Sequence, residues 1–323
     1  MSDYTWQVST QSIQGASHIR QGLPNQDACA AYWTKPKQLL LIMAVADGHG
    51  SKKSFRSERG ARLAVEQALQ VMQDFVNSQP RFCDVQWQAE EILSKRLVQY
   101  WRQAVEQDVA QQPFVAEHEA LLPNNKEPYL AYGSTLLIAV ITDVFILLMQ
   151  LGDGDILQVL PCGTVQRPIM ADARLLGNET TSLCTKDAWR QFRCSVQAPS
   201  NQVSSLWLLA TDGYANSFSS ASHFEQVGTD LLLMIQQSGF DLVIQHLPEW
   251  LKAASQQGSG DDVTVALAYQ QAIKPVRYVL ESQRKTLLPR KTSSMQQRKQ
   301  IMSKRVRRNL TELSQLLTEC MKK

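Results

Sequence analysis

Five short apolar runs limit the folds open to this chain more than any other feature. They are 39–46 (LLLIMAVA), 136–142 (LLIAVIT), 144–151 (VFILLMQL), 206–210 (LWLLA) and 263–268 (VTVALA). Runs of this length, rich in Val, Ile and Leu and several bounded by Gly, Asp or Asn, predict buried strands rather than helices. None approaches the roughly 20 residues needed to span a bilayer. The Thr142-Asp143 step between two of the runs predicts a hairpin turn and antiparallel pairing.

Helical patterns separate these runs. Residues 54–78 place Leu63, Val65, Ala68, Leu69, Met72 and Phe75 near one stripe. Residues 84–111 do the same with Trp87, Ile92, Leu97, Trp101, Val105 and Val109. A second helical pair is expected at about 224–237 and 240–255, ahead of the last strand. Strands, a helical pair, strands, a helical pair and a strand predict an α+β layered domain rather than a regularly alternating parallel sheet.

Charge divides the chain in two. The net charge is only +3, yet from Lys274 onward there are 14 Lys/Arg against 3 Asp/Glu, leaving 19 against 27 before it. The body is therefore acidic and the tail basic. Residues 1–270 are expected to form the main domain, 271–300 a basic linker, and 301–323 an amphipathic basic helix carrying Met302, Val306, Leu310, Leu313 and Leu317. Such a tail suits docking to an acidic partner or an anionic surface. Six scattered cysteines with no C-x-x-C pair give neither a zinc site nor a disulfide scaffold. With no basic and apolar leader in MSDYTWQVSTQSIQG, a cytoplasmic location is expected.

The apolar runs share one further trait: aspartates stand at their ends. Asp47 closes the first in AVADGHGS, Asp153 follows the third in LGDGDI, and Asp212 ends the fourth in LLATDGYANSF. Asp261 opens the last in GSGDDVTVAL, and Asp27 sits in PNQDA at the start of the first strands. A single Asp-Gly step describes a tight turn. Several, each punctuating a buried strand, describe acids that converge if the strands lie side by side. Gathered carboxylates repel and shift their pKa values upward unless a cation compensates. Oxygen ligands without a Cys or His set point to Mg²⁺ or Mn²⁺. A pair of such ions about 3.5–4 Å apart, bridged by a carboxylate, activates water for attack on a phosphate ester.

In order and wording these motifs resemble the metal-dependent Ser/Thr protein phosphatases of type 2C, in their bacterial form, along nearly all of residues 5–269. PNQDA resembles the first acidic motif, VADGHG the central metal motif, and YGST (132–135) the small-residue strand start. LGDGDI resembles the Gly-Asp motif, LLATDGYANSF carries the second metal aspartate, and GSGDDVTVAL the last. The resemblance implies two packed antiparallel β-sheets flanked by helical pairs, with a metal cleft at one end. It implies that Asp47 bridges two ions, that the Gly48 carbonyl binds one, and that Asp212 and Asp261 complete the other. Asp27 would orient the attacking water, His49 would protonate the leaving oxygen, and Asp153 would belong to a third, weak site. Gln26 stands where animal members have a glutamate ligand, and Asn216 where many members have an aspartate. The phosphate-binding arginine is displaced: either His18 or Arg20 takes its place.

The expected activity is hydrolysis of phosphoserine and phosphothreonine on proteins, with a phosphoprotein substrate and a cognate Ser/Thr kinase as partners. Two alternatives follow from other features. The Gln26, Asn216 and arginine departures fit a weakly active or inactive phosphatase-like binding module, against which the retained Asp47, Asp212 and Asp261 argue. A two-metal nuclease would need a basic groove, which the acidic body disfavours.

Overall fold

The computed structural model describes residues 4–34, 39–122, 127–170, 180–199 and 205–272. The part of the expected linker from 273 onward and the basic helix expected at 301–323 lie outside these residues.

Among the described residues ten strands form two five-stranded sheets, and every pair is antiparallel. They are β1 (Tyr4–Ile13), β2 (Ala28–Thr34), β3 (Leu40–Ala46), β4 (Leu136–Thr142), β5 (Ile146–Leu151), β6 (Asp155–Val159), β7 (Val165–Gln166), β8 (Arg193–Gln197), β9 (Leu206–Ala210) and β10 (Val263–Ala272). One sheet has the order β1-β10-β9-β6-β7 and the other β2-β3-β4-β5-β8. The expected hairpin at Thr142-Asp143 joins β4 to β5, with Thr142 Oγ1 accepting from the N–H groups of Val144 and Phe145. β10 runs two residues beyond the expected domain end at 270.

The continuous apolar runs arise because the central strands are covered on both faces. Along β3, Leu40, Ile42, Ala44 and Ala46 face one helical layer, while Leu41, Met43 and Val45 face the opposite sheet. Successive side chains of a strand point to opposite faces, so a strand buried on both must be apolar throughout. The inter-sheet layer is completed by Trp6, Leu148, Trp207 and Ala266. Each Leu, Val or Met side chain buried there contributes about 1.5–3 kcal/mol.

The helices are α1 (Ala16–Gln21), α2 (Ser57–Asn77), α3 (Phe82–Gln88), α4 (Ser94–Gln111), α5 (Ala116–Glu119), α6 (Asp212–Ala215), α7 (Ala221–Ser238) and α8 (Phe240–Gln257). α2 and α4 cover the β3 sheet, and α7 and α8 cover the β10 sheet. The result is the expected α+β sandwich of two antiparallel sheets between helical pairs. No helix among the described residues is long and apolar enough to cross a membrane.

One expected stripe departs from the structure. Trp87 is 59% exposed, although it keeps helical spacing with Leu97 and Trp101. Residues Ala89–Leu93 form a π-helical turn between α3 and α4. A π turn adds a residue and swings the following face by roughly 100°. Val85 therefore buries before it, Ala89 and Leu93 at its two ends, and Leu97 and Trp101 after it, while Trp87 turns outward.

Candidate active site

Strand register brings the acids together. β2 and β3 end their ladder with Ala28 opposite Ala46, so the next position sets Asp27 opposite Asp47. β6 and β9 pair Asp155 with Ala210, and the same register carried two positions further sets Asp153 opposite Asp212. Asp261 enters from the turn before β10, the central neighbour of β9. One end of the sandwich thus collects acids from both sheets.

Backbone and hydroxyl contacts fix each of them. Asp47 donates its N–H to Thr135 Oγ1 at 3.0 Å, and its carbonyl accepts from Thr135 N at 2.9 Å. His49 N donates to Gly133 O, so the ladder passes around Gly48 without using its carbonyl. Gly48 itself has no room for a side chain, since a Cβ would lie 2.4 Å from the Gln26 carbonyl oxygen. Asp27 Oδ2 accepts from Thr211 Oγ1 at 2.8 Å, and Thr211 Oγ1 accepts from Thr264 N. Asp212 Oδ2 accepts from Asn216 Nδ2 at 3.0 Å, and Asp153 Oδ1 from Thr180 Oγ1 at 2.9 Å.

The electrostatics are those of a crowded anionic cluster. Burial, then the charges of Asp27 and Asp212, raise the Asp47 carboxyl well above the usual range. Burial and the charges of Asp262 and Asp261 do the same to Asp27, against the pull of hydrogen bonds with Thr264 and Thr211. Asp212 is raised by burial and by the charges of Asp153 and Asp261, against a hydrogen bond shared with Asp47. A hydrogen bond between two carboxyl groups requires one proton between them. Divalent charge in place of that proton would offset the repulsion among these carboxylates. Gln26 Oε1, buried and without a hydrogen-bond partner, adds a further neutral acceptor beside them. The donor set, all oxygen, fits a hard cation.

His49 belongs to the same end of the sandwich: a Cβ on Gly133 would meet its Cδ2 at 2.5 Å. Burial lowers its pKa, and the charge of Asp153 partly opposes that. The two basic candidates separate. His18, on α1, places Nδ1 2.9 Å from Asp262 Oδ2 and Nε2 3.6 Å from Asp261 Oδ1. Arg20 is exposed, and its guanidinium reaches the vicinity of Gly260 without forming an ion pair among the described residues.

Asp262 is the residue that motif reading passed over. It is 3% exposed, and its oxygens accept from Gly15 N and Gln26 N, both at 2.6 Å. His18, Asp261 and Asp262 bring ligand atoms within 4.8 Å of one another. Asp262 spends its oxygens on backbone donors, so it ties the Gln26-Asp27 segment to the Asp261 turn. The only trace in the sequence is the doubled aspartate of GSGDDVTVAL.

A family model described as Protein phosphatase 2C matches residues 14–252. "Serine/threonine-protein phosphatase 3" of Escherichia coli (strain K12) is 28% identical over 275 residues, covering 82% of this chain and 98% of that protein. The manganese-bound catalytic domain of the serine threonine protein phosphatase PstP superposes with a TM-score of 0.52 at 16% identity, over 83% of this chain and 99% of that one. A bacterial serine phosphatase gives 0.51 at 17% identity, over 82% and 98%. These two likenesses establish the fold.

Proposed function

The chain belongs to the protein phosphatase 2C family, and on that premise we propose that its acid cluster cleaves phosphoserine and phosphothreonine esters of proteins with the help of two Mn²⁺ or Mg²⁺ ions. The observation that carries this reading is the convergence of Asp27 and Asp47 from one sheet with Asp212 and Asp261 from the other. The PstP structure holds two manganese ions, which supports the same number here. When bound, the ions supply a water acidic enough to attack at neutral pH and relieve the charge on the phosphate.

The chain's own groups then divide the work. Asp47, shared between the two ions, would hold them together with the Gly48 carbonyl on one side and Asp212 and Asp261 on the other. Asp153, tied to Thr180, would border a third and weaker position. Asp27, fixed by Thr211, accepts the hydrogen bond that orients the attacking water. His49 donates to the leaving seryl or threonyl oxygen. Arg20 is the phosphate-binding cation of the pair, because His18 is already held between two carboxylates while Arg20 forms no ion pair among the described residues. A guanidinium fork suits a phosphate better than a tethered imidazole.

The reading extends to a cognate Ser/Thr kinase that supplies the phosphoprotein, and to a cytoplasmic setting supported by five described cysteines that all stand as thiols. The tail's basic charge supports docking to an acidic partner.

The test is hydrolysis of p-nitrophenyl phosphate and a phosphothreonine peptide, with Mn²⁺ and with chelator. Asp47→Asn is expected to lower kcat by on the order of 10²–10³ while the fold, read by circular dichroism, is retained. Wild-type turnover in that variant removes the bridging role.

A further inference from the structure

A groove of about 480 Å³ runs beside α4, lined by Lys95, Arg102, Glu106, Tyr129, Lys186 and Trp189. Its charge is opposite to that of the body around it. Three cations line it against one acid, and Glu106 is occupied as the acceptor of the Tyr129 hydroxyl. Lys95 Nζ lies 4.3 Å from the Trp189 ring centre, and the Arg102 guanidinium carbon 4.7 Å from that of Tyr129. Lys95 also meets Glu91 at 3.0 Å, an exposed pair that binds weakly. Arg102 and Lys186 form no ion pair among the described residues. Arg102 Nε is buried with no hydrogen-bond partner, which is costly for a charged donor.

The groove is also close to the acid cluster along the chain. Arg102 Nη2 donates to the carbonyls of Thr185 and Lys186 at 2.8 and 3.2 Å. Thr180, a few residues earlier, donates to Asp153 at 2.9 Å. The chain from Thr180 to Thr185 spans at most about 18 Å even when fully extended. A short extended peptide can therefore touch both places.

We propose that this groove is a second contact site for the phosphoprotein substrate, taking a run of Asp or Glu residues about five to eight positions from the phosphorylated one. The proposal rests on the phosphatase reading. Lys95, Arg102 and Lys186 receive the carboxylates, and the faces of Trp189 and Tyr129 hold the intervening methylenes and backbone. Because Arg102 also grips the 185–186 backbone, an occupied groove steadies the stretch that ends on Thr180 and Asp153.

The experiment compares phosphothreonine peptides carrying three glutamates about six residues from the phosphothreonine, on either side, with peptides carrying glutamines there. The full chain with Mn²⁺ is used throughout. One glutamate peptide is expected to show about tenfold higher kcat/KM, falling as salt is raised. The Lys95→Glu/Lys186→Glu and Lys95→Gln/Lys186→Gln variants are expected to lose this advantage and keep wild-type turnover of p-nitrophenyl phosphate. Equal kcat/KM for glutamate and glutamine peptides, or an advantage that survives both variants, overturns the groove. Absence of p-nitrophenyl phosphate turnover in the wild type overturns the phosphatase reading instead. In that event, binding of the unphosphorylated glutamate peptide by fluorescence anisotropy decides the groove: binding lost in the variants supports it, and unchanged or absent binding sinks it.

Discussion

The carboxylate of Asp262 holds the backbone N–H of Gln26 at 2.6 Å across a separation of 236 residues. Its other oxygen holds Gly15 N at the same distance. Asp262→Ala is expected to cost about 3 kcal/mol, the scale of two buried bonds to a charged acceptor. Asp262→Asn keeps one acceptor, turns an amide donor toward the second N–H, and is expected to fall between. Urea unfolding reads both. A loss under about 0.5 kcal/mol in the alanine variant ends the anchoring role.

Asp108 supports the active end from behind. Burial pushes its carboxyl up, but hydrogen bonds from Tyr132 and Arg59 and the charges of Arg59 and Arg56 outweigh this and hold its pKa below the usual value. A carboxyl depressed on folding contributes stability that is present above its unfolded pKa, near ~3.9. That contribution is lost as pH falls through the lower folded value. Asp108→Asn is expected to cost about 1–3 kcal/mol at pH 7. The gap between wild type and variant should close below about pH 4. A gap that stays constant from pH 7 to pH 3 contradicts the assignment.

Gly60 on α2 faces Tyr132 so closely that a Cβ would lie 1.8 Å from the Tyr132 carbonyl oxygen. Trp101 Nε1 donates to the Gly60 carbonyl at 3.0 Å from the opposite helix. Gly60→Ala must displace either the helix or the 132–135 segment that holds Asp47. It is expected to cost about 1–3 kcal/mol and to reduce kcat as well. Thermal unfolding and steady-state turnover check the two effects; a neutral alanine would mean that Tyr132 yields freely.

The last strand ends at Ala272. Truncation after that residue is expected to leave p-nitrophenyl phosphate turnover within about twofold of the full chain, since β10 keeps all its partners. It should weaken binding to an acidic partner in pull-down or anisotropy. Lost turnover would place the basic tail within the catalytic domain.

The central strands were legible because both of their faces are covered, leaving β3 an unbroken apolar run and β4 and β5 nearly so. The edge strands were not. β2 (ACAAYWT) and β8 (RCSVQ) are half-buried and carry mixed residues, so no periodic signal separates them from loop. Trp87 misled because a single π turn changes the helical phase, and such a turn leaves no compositional mark. At the site, the acids announced themselves by standing beside glycine at strand ends. Asp262 did not, because its work is done on backbone N–H groups that any sequence supplies. The different surroundings of His18 and Arg20 depend on where Asp261 and Asp262 fold, which no local motif records.

Asp27 and Asp47 hang from one leaf of the sandwich, and Asp212 and Asp261 from the other. Their like charges press the leaves apart at the rim while apolar contact seals them further in. At the mouth the hydrogen bonds from Thr211 to Asp27 and from Gln26 to Asp262 cross between the leaves against that repulsion. Whatever neutralises that rim also tightens the clasp between the two leaves, so the chemistry and the mechanical closure of the sandwich are strengthened together.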